Sequence, residues 1–95
     1  MRRLGRTGKP DANQHEIVLA LRAVGASVLI LSGQGFGCFD VLVGWKGQDF
    51  PMEIKAKQSD KLTDLEQEFH RTWKGRPIAV VYCSGDALRV IGLVK

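Results

Sequence analysis

One stretch of the chain combines a strand-forming pattern with charged residues, and it constrains the fold more than any other. It runs from Gly37 to Lys57 and reads GCFDVLVGWKGQDFPMEIKAK. Residues 38–45 are rich in β-branched and aromatic types, residues 46–49 are typical of a turn, and residues 50–56 resume the strand pattern. The stretch therefore predicts a β-hairpin.

Alternation along the two strands decides which charged groups share a face. Glu53 and Lys55 project from one face of the second strand, with Ile54 on the other, and Asp40 lies opposite to Val41 at the start of the first strand. A twisted hairpin can bring Asp40 beside Glu53. Charge in an apolar strand costs free energy unless it is paired or holds a metal. Carboxylate oxygens suit Mg²⁺, with Mn²⁺ as a substitute, so a metal site is expected here.

The beginning of the chain differs in charge from the remainder. The first ten residues, MRRLGRTGKP, are Gly-rich, lack a periodic apolar pattern and hold the basic side chains that account for the net charge of +4. These side chains are Arg2, Arg3, Arg6 and Lys9. We expect residues 1–10 to form a flexible basic arm and residues 11–95 to form one small domain. The arm either contacts phosphate backbones or only increases solubility, and the sequence leaves both open.

Apolar runs and cysteines bear on the compartment. No apolar run approaches the roughly 20 residues needed to cross a bilayer, and no signal peptide is recognisable. We therefore expect a cytosolic protein without membrane contact. Cys38 and Cys83 lack a metal-ligand spacing, and in a cytosolic protein they are expected to be buried thiols.

The first helix is predicted over residues 11–25. Its apolar stripe has the spacing i, i+3, i+4, i+7 and consists of Ile17, Ala20, Leu21 and Val24. Asn13 is the expected N-cap and Gly25 the expected stop. Glu16 either completes a capping box with Asn13 or leans over the sheet toward Asp40, and the two roles need not exclude each other.

Residues 26–31 predict a short buried strand, because they are rich in valine, isoleucine and leucine. Residues 32–37 contain three glycines and lead into a strand, so they do not match a dinucleotide-binding loop. They predict either a plain tight loop or a close approach of the backbone to a ligand such as a phosphodiester.

The second helix is predicted to open at a capping box formed by Thr63 and Glu66 and to end before Gly75. Its apolar stripe is Leu65, Phe69 and Trp73, and Trp73 is expected in the core. His70 is expected to be a surface histidine, because no cysteine or serine partner forms a recognisable motif with it.

The remaining elements complete the fold prediction. Residues 76–82 predict a strand, and a last helix is expected from a cap at Ser84 through Ile91. The hairpin is antiparallel, and the strand after the second helix can join the sheet in parallel. The sequence therefore predicts an α/β fold with a mixed four-stranded sheet flanked by helices.

The charged residues occur in the order Glu16, Asp40, Glu53-Ile54-Lys55, within predicted elements in the order αβββαβ. Together they resemble the PD-(D/E)XK nuclease superfamily, in which an acid and an E-x-K strand hold the metal. The chain is more closely similar to the VRR-NUC group of small phage and bacterial proteins, which are like Holliday-junction resolvases. The segments that carry this resemblance are DANQHEIVLALRAVGASV, GCFDVLVGWKG, MEIKAKQSDKLTDLEQEFHRTWKG and PIAVV followed by DAL.

The resemblance implies a restriction-endonuclease-like fold and a Mg²⁺-dependent endonuclease that hydrolyses DNA phosphodiester bonds. The metal ligands that it implies are Asp40, Glu53, the carbonyl of Ile54 and, directly or through water, Glu16. It also implies that Lys55 orients or activates the attacking water. A glutamine on the second helix matches Gln67, which would contact that water or a nearby phosphate. The cytoplasm of a bacterium or a phage-infected host is the implied location.

Further expectations concern DNA contacts and oligomeric state. The candidate backbone contacts outside the arm are Lys57, Lys61, Lys74 and Arg76. Because resolving a four-way junction needs two symmetric cuts, we expect a homodimer that prefers branched DNA. The apolar side chains available for an interface are Phe36, Phe39, Trp45, Phe50 and Trp73. The alternative is a monomer that nicks flaps or duplex DNA.

Two other classes of function remain open. One is a non-catalytic DNA-binding or assembly subunit that retains the nuclease fold. The other is a Mg²⁺-dependent enzyme that acts on RNA or on a nucleotide. The complete set of two acids and a lysine favours an enzyme, since a binding subunit has no need of it.

Overall fold

The computed structural model describes residues 12–93, so the predicted basic arm and its candidate DNA contacts lie outside the described residues. Within this part the elements follow the predicted order: α1 (Gln14–Ala23), β1 (Ser27–Ile30), β2 (Val41–Trp45), β3 (Gln48–Ile54), α2 (Asp64–Thr72), β4 (Ala79–Val81) and α3 (Ser84–Val90). No helix among them is long and apolar enough to span a membrane.

The four strands form one mixed sheet in the order β1-β2-β3-β4. The β1–β2 and β2–β3 pairs are antiparallel, and β3 pairs with β4 in parallel. Helices α1 and α3 contact each other and share the hydrophobic core with one face of the sheet. The predicted fold class, an α/β fold with a mixed four-stranded sheet flanked by helices, is confirmed.

The alternation of buried side chains along β2 and β3 shows which face of the sheet meets the core. Val41 and Val43 of β2 are buried, as are Phe50, Met52 and Ile54 of β3. Successive side chains of a strand point to opposite faces, so Glu53 must point away from this core. Glu53 is nevertheless buried, which shows that the second face of β3 is also covered.

The turn of the hairpin is shorter than predicted. Lys46 and Gly47 form a two-residue turn with φ angles of 51° and 79°, and Trp45 pairs directly with Gln48. Two positive φ angles suit a turn that matches the twist of the strands, and glycine adopts such an angle at little cost. The expected four-residue turn over 46–49 is therefore wrong, since Gln48 and Asp49 belong to β3.

Strand β1 is not the buried strand that its composition predicts. It forms an edge of the sheet and pairs only with β2. Leu29 is 57% exposed, and Ile30 is also exposed. The apolar composition of β1 indicated a strand correctly, but composition does not distinguish an edge strand from a central one.

The start of α1 differs from the prediction. Asn13 occupies the N-cap position, but its side chain makes no capping hydrogen bond, so the expected capping box with Glu16 is wrong. Gly25, with a φ of 99°, ends the helix as predicted. The buried face of α1 consists of Gln14, Ile17, Val18 and Leu21. Val24, expected in the stripe, is exposed because the helix ends before it.

The predicted N-terminal cap is confirmed for α2 and wrong for α3. The Thr63 hydroxyl accepts from the Glu66 backbone N–H at 3.1 Å, and the Glu66 carboxylate accepts from the Thr63 N–H at 2.9 Å, so the predicted capping box of α2 is confirmed. Ser84 is the first residue of α3 and not its cap. Asp86 instead accepts from the Tyr82 N–H at 2.9 Å.

The cysteines and aromatic residues also differ from expectation. Cys38 and Cys83 are free thiols, but Cys83 is exposed, so its predicted burial is wrong. Phe39 and Phe50 are buried, whereas Phe36 is 85% exposed and Trp73 is 41% exposed. Of the five aromatic side chains expected to supply a dimer interface, Phe36 and Trp73 are therefore the exposed ones.

Phe39 joins α2 to the sheet. Its ring meets Phe69 at 6.0 Å and Trp73 at 5.4 Å between centroids, both edge-on, while Phe69 and Trp73 stack on each other at 5.6 Å. Such edge-on and stacked pairs add to the stabilisation that burial provides. Trp73 packs against both rings but stays partly exposed to solvent, so its predicted place in the core is wrong.

Candidate active site at the end of the hairpin

Asp40 is held against β3 by its backbone and by its side chain. Its N–H donates to the Met52 carbonyl at 3.0 Å, and its Oδ2 accepts from the Ile54 N–H at 2.7 Å. These two bonds place the Asp40 carboxylate next to Glu53, and the two carboxyl groups are hydrogen-bonded. The structure therefore brings together the two acids that the hairpin pattern selects.

Glu53 lies at the centre of the site. It is 2% exposed, and this burial, followed by the hydrogen bond and the charge of Asp40, raises its pKa to about 10. The charge of Glu66 adds to the rise, and Lys55 opposes it. Glu53 thus keeps a proton at neutral pH, chiefly because burial disfavours its charged form, and the neighbouring Asp40 adds to this effect.

Lys55 is paired with Glu66, which the sequence pattern assigned only to the capping box of α2. Its Nζ lies 2.8 Å from Oε1 of Glu66, and the two side chains are 14% and 17% exposed. Burial by itself raises the pKa of Glu66, but hydrogen bonds from Lys55 and the Thr63 N–H and the charge of Lys55 together lower it. Glu66 is therefore ionised and forms an ion pair with Lys55.

His70 also belongs to the site, so its predicted place on the surface is wrong. Its Nε2 lies 3.3 Å from Oε1 of Glu53, and its side chain is largely buried. Burial and the charge of Lys55 lower the pKa of His70, although Glu66 opposes them. His70 is one helical turn after Glu66, so both side chains are on the face of α2 that covers β3.

Two predicted site residues are not brought to the carboxylate pair. Glu16 is exposed, and its backbone carbonyl accepts from the Ser84 hydroxyl at 3.5 Å. The buried polar residue of α1 is Gln14, whose Oε1 accepts from Ser32 at 2.8 Å. Gln67 is exposed and donates to the Leu62 carbonyl at 3.0 Å.

The basic residues expected to contact DNA are exposed where the structure describes them. Lys57 and Lys61 lie on the connector between β3 and α2, next to the site. Arg76 is exposed too, but its Nε donates to the Asp49 carbonyl at 3.0 Å and its guanidinium lies 4.3 Å from the Phe50 ring centre. Arg76 therefore already has partners in Gln48, Asp49 and Phe50 of β3.

Gly37 sets how closely the Gly-rich loop approaches α2. Its φ is 80°, and a Cβ at this position would lie 2.2 Å from the Leu65 carbonyl oxygen. A side chain is therefore excluded by both conformation and space. This close contact holds the first turn of α2 beside the segment that leads to Asp40.

Asn13 is a second positioning feature that sequence patterns did not reveal. Its amide donates to the Lys55 carbonyl at 3.0 Å and to the Tyr82 carbonyl at 2.8 Å. It thereby joins α1 to the residues that follow β3 and β4. No local motif predicts these contacts, because the partners are 42 and 69 residues away in sequence.

The donor set fits a hard divalent cation in part. Mg²⁺ is commonly held by one or two carboxylates with water in its other positions, and Asp40 and Glu53 provide that number. Within residues 12–93, no group of three or more histidine, cysteine, aspartate or glutamate side chains is arranged to hold a metal. The side-chain ligands that the geometry supports are therefore these two, and ligation by Ile54 or Glu16 stays a prediction.

Comparison of the chain with family models, curated proteins and solved structures finds no match. The fold and the geometry of the site are therefore the basis for any functional proposal.

Proposed function

We propose that this protein is a Mg²⁺-dependent endonuclease that hydrolyses DNA phosphodiester bonds. The observation that carries the proposal is the carboxyl pair of Asp40 and Glu53 beside Lys55, at the end of the two central strands. Two adjacent carboxyl groups that would repel each other when both are ionised form a site that a divalent cation would stabilise. The resemblance to the VRR-NUC group supports the same interpretation.

The chemistry follows from the charges of these groups. A bound Mg²⁺ would neutralise charge on the phosphate and lower the pKa of a water molecule. Asp40 and Glu53 would hold the cation, with Glu53 losing its proton. Lys55 would orient the water and stabilise negative charge as it develops. The roles of the Ile54 carbonyl, Glu16 and Gln67 remain those that the resemblance implies.

Branched DNA is the proposed substrate, and a homodimer the proposed assembly. Two cuts at symmetric positions in a four-way junction need two sites, which a two-fold dimer provides. The exposed side chains Phe36 and Trp73 and the exposed edge strand β1 are available for such contacts. Lys57, Lys61 and the basic arm would contact the DNA backbone. The proposed location is the cytoplasm of a bacterium or of a phage-infected host.

One observation favours a second candidate, a non-catalytic DNA-binding subunit. Lys55 is already ion-paired with Glu66, and Glu53 keeps its proton, so neither side chain requires a cation as its partner. In that case the cluster would only stabilise the fold. This candidate predicts DNA binding that is insensitive to Mg²⁺ and no strand cleavage.

The deciding experiment offers labelled four-way junction, flap, duplex and single-stranded DNA, and RNA, to the protein with Mg²⁺ or with EDTA. Asp40→Asn is the matched control. Mg²⁺-dependent cleavage of DNA by the wild type and none by the variant supports the proposal. Binding without cleavage favours the subunit, and cleavage of RNA alone favours the ribonucleolytic alternative. Light scattering on the same samples measures whether the protein is a dimer.

A further inference from the structure

One oxygen of Glu66 serves two partners. Oε1 accepts from the Thr63 backbone N–H at 2.9 Å, which closes the capping box of α2. The same oxygen accepts from Lys55 Nζ at 2.8 Å. The start of α2 and the side chain of Lys55 are therefore joined through a single carboxylate.

The spacing of the two elements explains why this arrangement is possible. Lys55 directly follows β3 and is two residues after Glu53, which separates them by about 6.6 Å along an extended backbone. Glu66 and His70 are four residues apart on α2, which separates them by about 6 Å along the helix. The matching separations allow Lys55 to pair with Glu66 and Glu53 to contact His70.

Few other contacts hold α2 in place. None of its own residues is fully buried, and it contacts the rest of the protein through the Phe69–Phe39 rings, the His70–Glu53 pair and the close approach of Gly37 to Leu65. The ion pair with Lys55 is a further contact of this small set, and it links the position of Lys55 to that of α2.

We propose that Glu66 is a positioning residue for catalysis, which orients the Lys55 ammonium toward the carboxyl pair. The inference rests on the proposed nuclease function and deepens it, since it assigns a role to a residue of α2. Without Glu66, the long side chain of Lys55 would sample several rotamers, and only some of them would face the reacting phosphate. A misplacement of about 1 Å can cost on the order of 10²-fold in rate.

Two substitutions separate positioning from helix capping. Glu66→Gln retains an oxygen at the capping position, since glutamine also forms capping boxes, but it removes the charge that holds Lys55. Thr63→Ala removes the hydroxyl of the cap and leaves the Glu66 carboxylate and the backbone N–H in place. Both are assayed for kcat and KM on the best DNA substrate and for the midpoint of thermal unfolding.

Positioning predicts that Glu66→Gln lowers kcat by roughly tenfold to a hundredfold, with KM changed by less than about twofold. Thr63→Ala should lower the unfolding midpoint and keep kcat near that of the wild type. Glu66→Asp, which keeps the charge on a shorter side chain, should recover part of the lost kcat and serves if Glu66→Gln does not fold. Equal losses of kcat in Thr63→Ala and Glu66→Gln would overturn the proposal, because capping alone would then explain them.

A second readout does not need activity. NMR signals of the Lys55 side chain should show restricted motion in the wild type and in Thr63→Ala, and greater motion in Glu66→Gln. If the wild type cleaves no DNA, the proposed function fails while these signals still test the contact. If the wild type cleaves DNA and Glu66→Gln retains both kcat and an ordered Lys55, the positioning role is refuted and the nuclease assignment stands.

Discussion

The Asp40 carboxyl group, just before β2, lies beside the Glu53 carboxyl group of β3, and the two interact strongly. Because Asp40 also accepts from the Ile54 N–H, its carboxyl group cannot turn away from β3 without losing that bond. Burial, together with the hydrogen bond and the charge of Asp40, raises the pKa of Glu53 to about 10, so Glu53 keeps its proton at neutral pH. A divalent cation would replace this proton and remove the repulsion between the two acids.

The stability of the cation-free protein should fall as the pH rises. Glu53 has a pKa of about 10 when folded, against 4.5 for an unperturbed glutamate, so over this range the folded state holds a proton that the unfolded state has lost. The stabilisation is complete at pH values below the unperturbed pKa and is lost as the pH approaches the pKa of the folded state. Thermal unfolding in EDTA at about pH 7 and about pH 9 measures the effect.

Glu53→Gln is the matched control for this pH dependence, since it keeps the shape of the side chain and cannot ionise. Its unfolding midpoint should change less between the two conditions than that of the wild type. The chosen range lies above the ordinary pKa of histidine, 6.5, and the pKa of His70 is lowered further, so His70 stays neutral throughout. A variant with the same slope as the wild type would show that another group is responsible.

Asp40→Asn and Glu53→Gln should each abolish cleavage and weaken Mg²⁺ binding while leaving DNA binding largely intact. The reason is that each removes one of the two carboxylates that the geometry offers to a cation. Calorimetric titration with Mg²⁺ and a gel-shift assay measure the two kinds of binding. Asp49→Asn is the control, because Asp49 lies on the same strand and is exposed. Near-normal turnover by either test variant would contradict the metal assignment.

Lys55→Ala should lower the rate by roughly 10²-fold or more, the usual scale for a group that moves a proton or stabilises developing charge. Its Mg²⁺ affinity should not fall, because a nearby positive charge is removed. Single-turnover cleavage and Mg²⁺ titration give the two quantities, with Lys46→Ala, in the exposed hairpin turn, as control. A collapse of Mg²⁺ affinity would instead make Lys55 a structural partner of Glu66.

Gly37→Ala should destabilise the protein more than Gly33→Ala. Both glycines have positive φ angles, 80° and 92°, so both substitutions carry a conformational cost of about 1–2 kcal/mol. Only at Gly37 would the new Cβ collide with backbone, at Leu65, whereas nothing lies within 4 Å of it at Gly33. Urea unfolding measures the difference, and equal losses of stability would mean that α2 shifts at little cost.

Deleting residues 1–9 should change the unfolding midpoint little and should weaken DNA binding. The deletion removes the four basic side chains of the predicted arm. The slope of log affinity against log salt should become shallower by as much as ~0.9 for each phosphate that the arm neutralises in the wild type. Binding isotherms at several salt concentrations give this slope, and an unchanged slope would make the segment a passive tail.

Local patterns in the sequence were sufficient to predict the order of helices and strands and the proximity of the two carboxyl groups. Alternation along the hairpin put Glu53 and Lys55 on one face, and the same period put Asp40 opposite to Val41. The Thr63–Glu66 spacing identified the start of α2, where the capping bonds are made within a few residues. Such features are encoded locally, because backbone geometry alone fixes the direction of neighbouring side chains.

Only the tertiary structure decided which partners those faces meet. Lys55 pairs with Glu66 and Glu53 with His70, because α2 lies across β3 at a matching spacing. The Asn13 side chain bonds to the residues that follow β3 and β4 instead of capping α1. Strand β1 lies at an exposed edge of the sheet. Periodicity assigns a residue to a face of its own element. What covers that face depends on the packing of distant segments, and no local pattern records it.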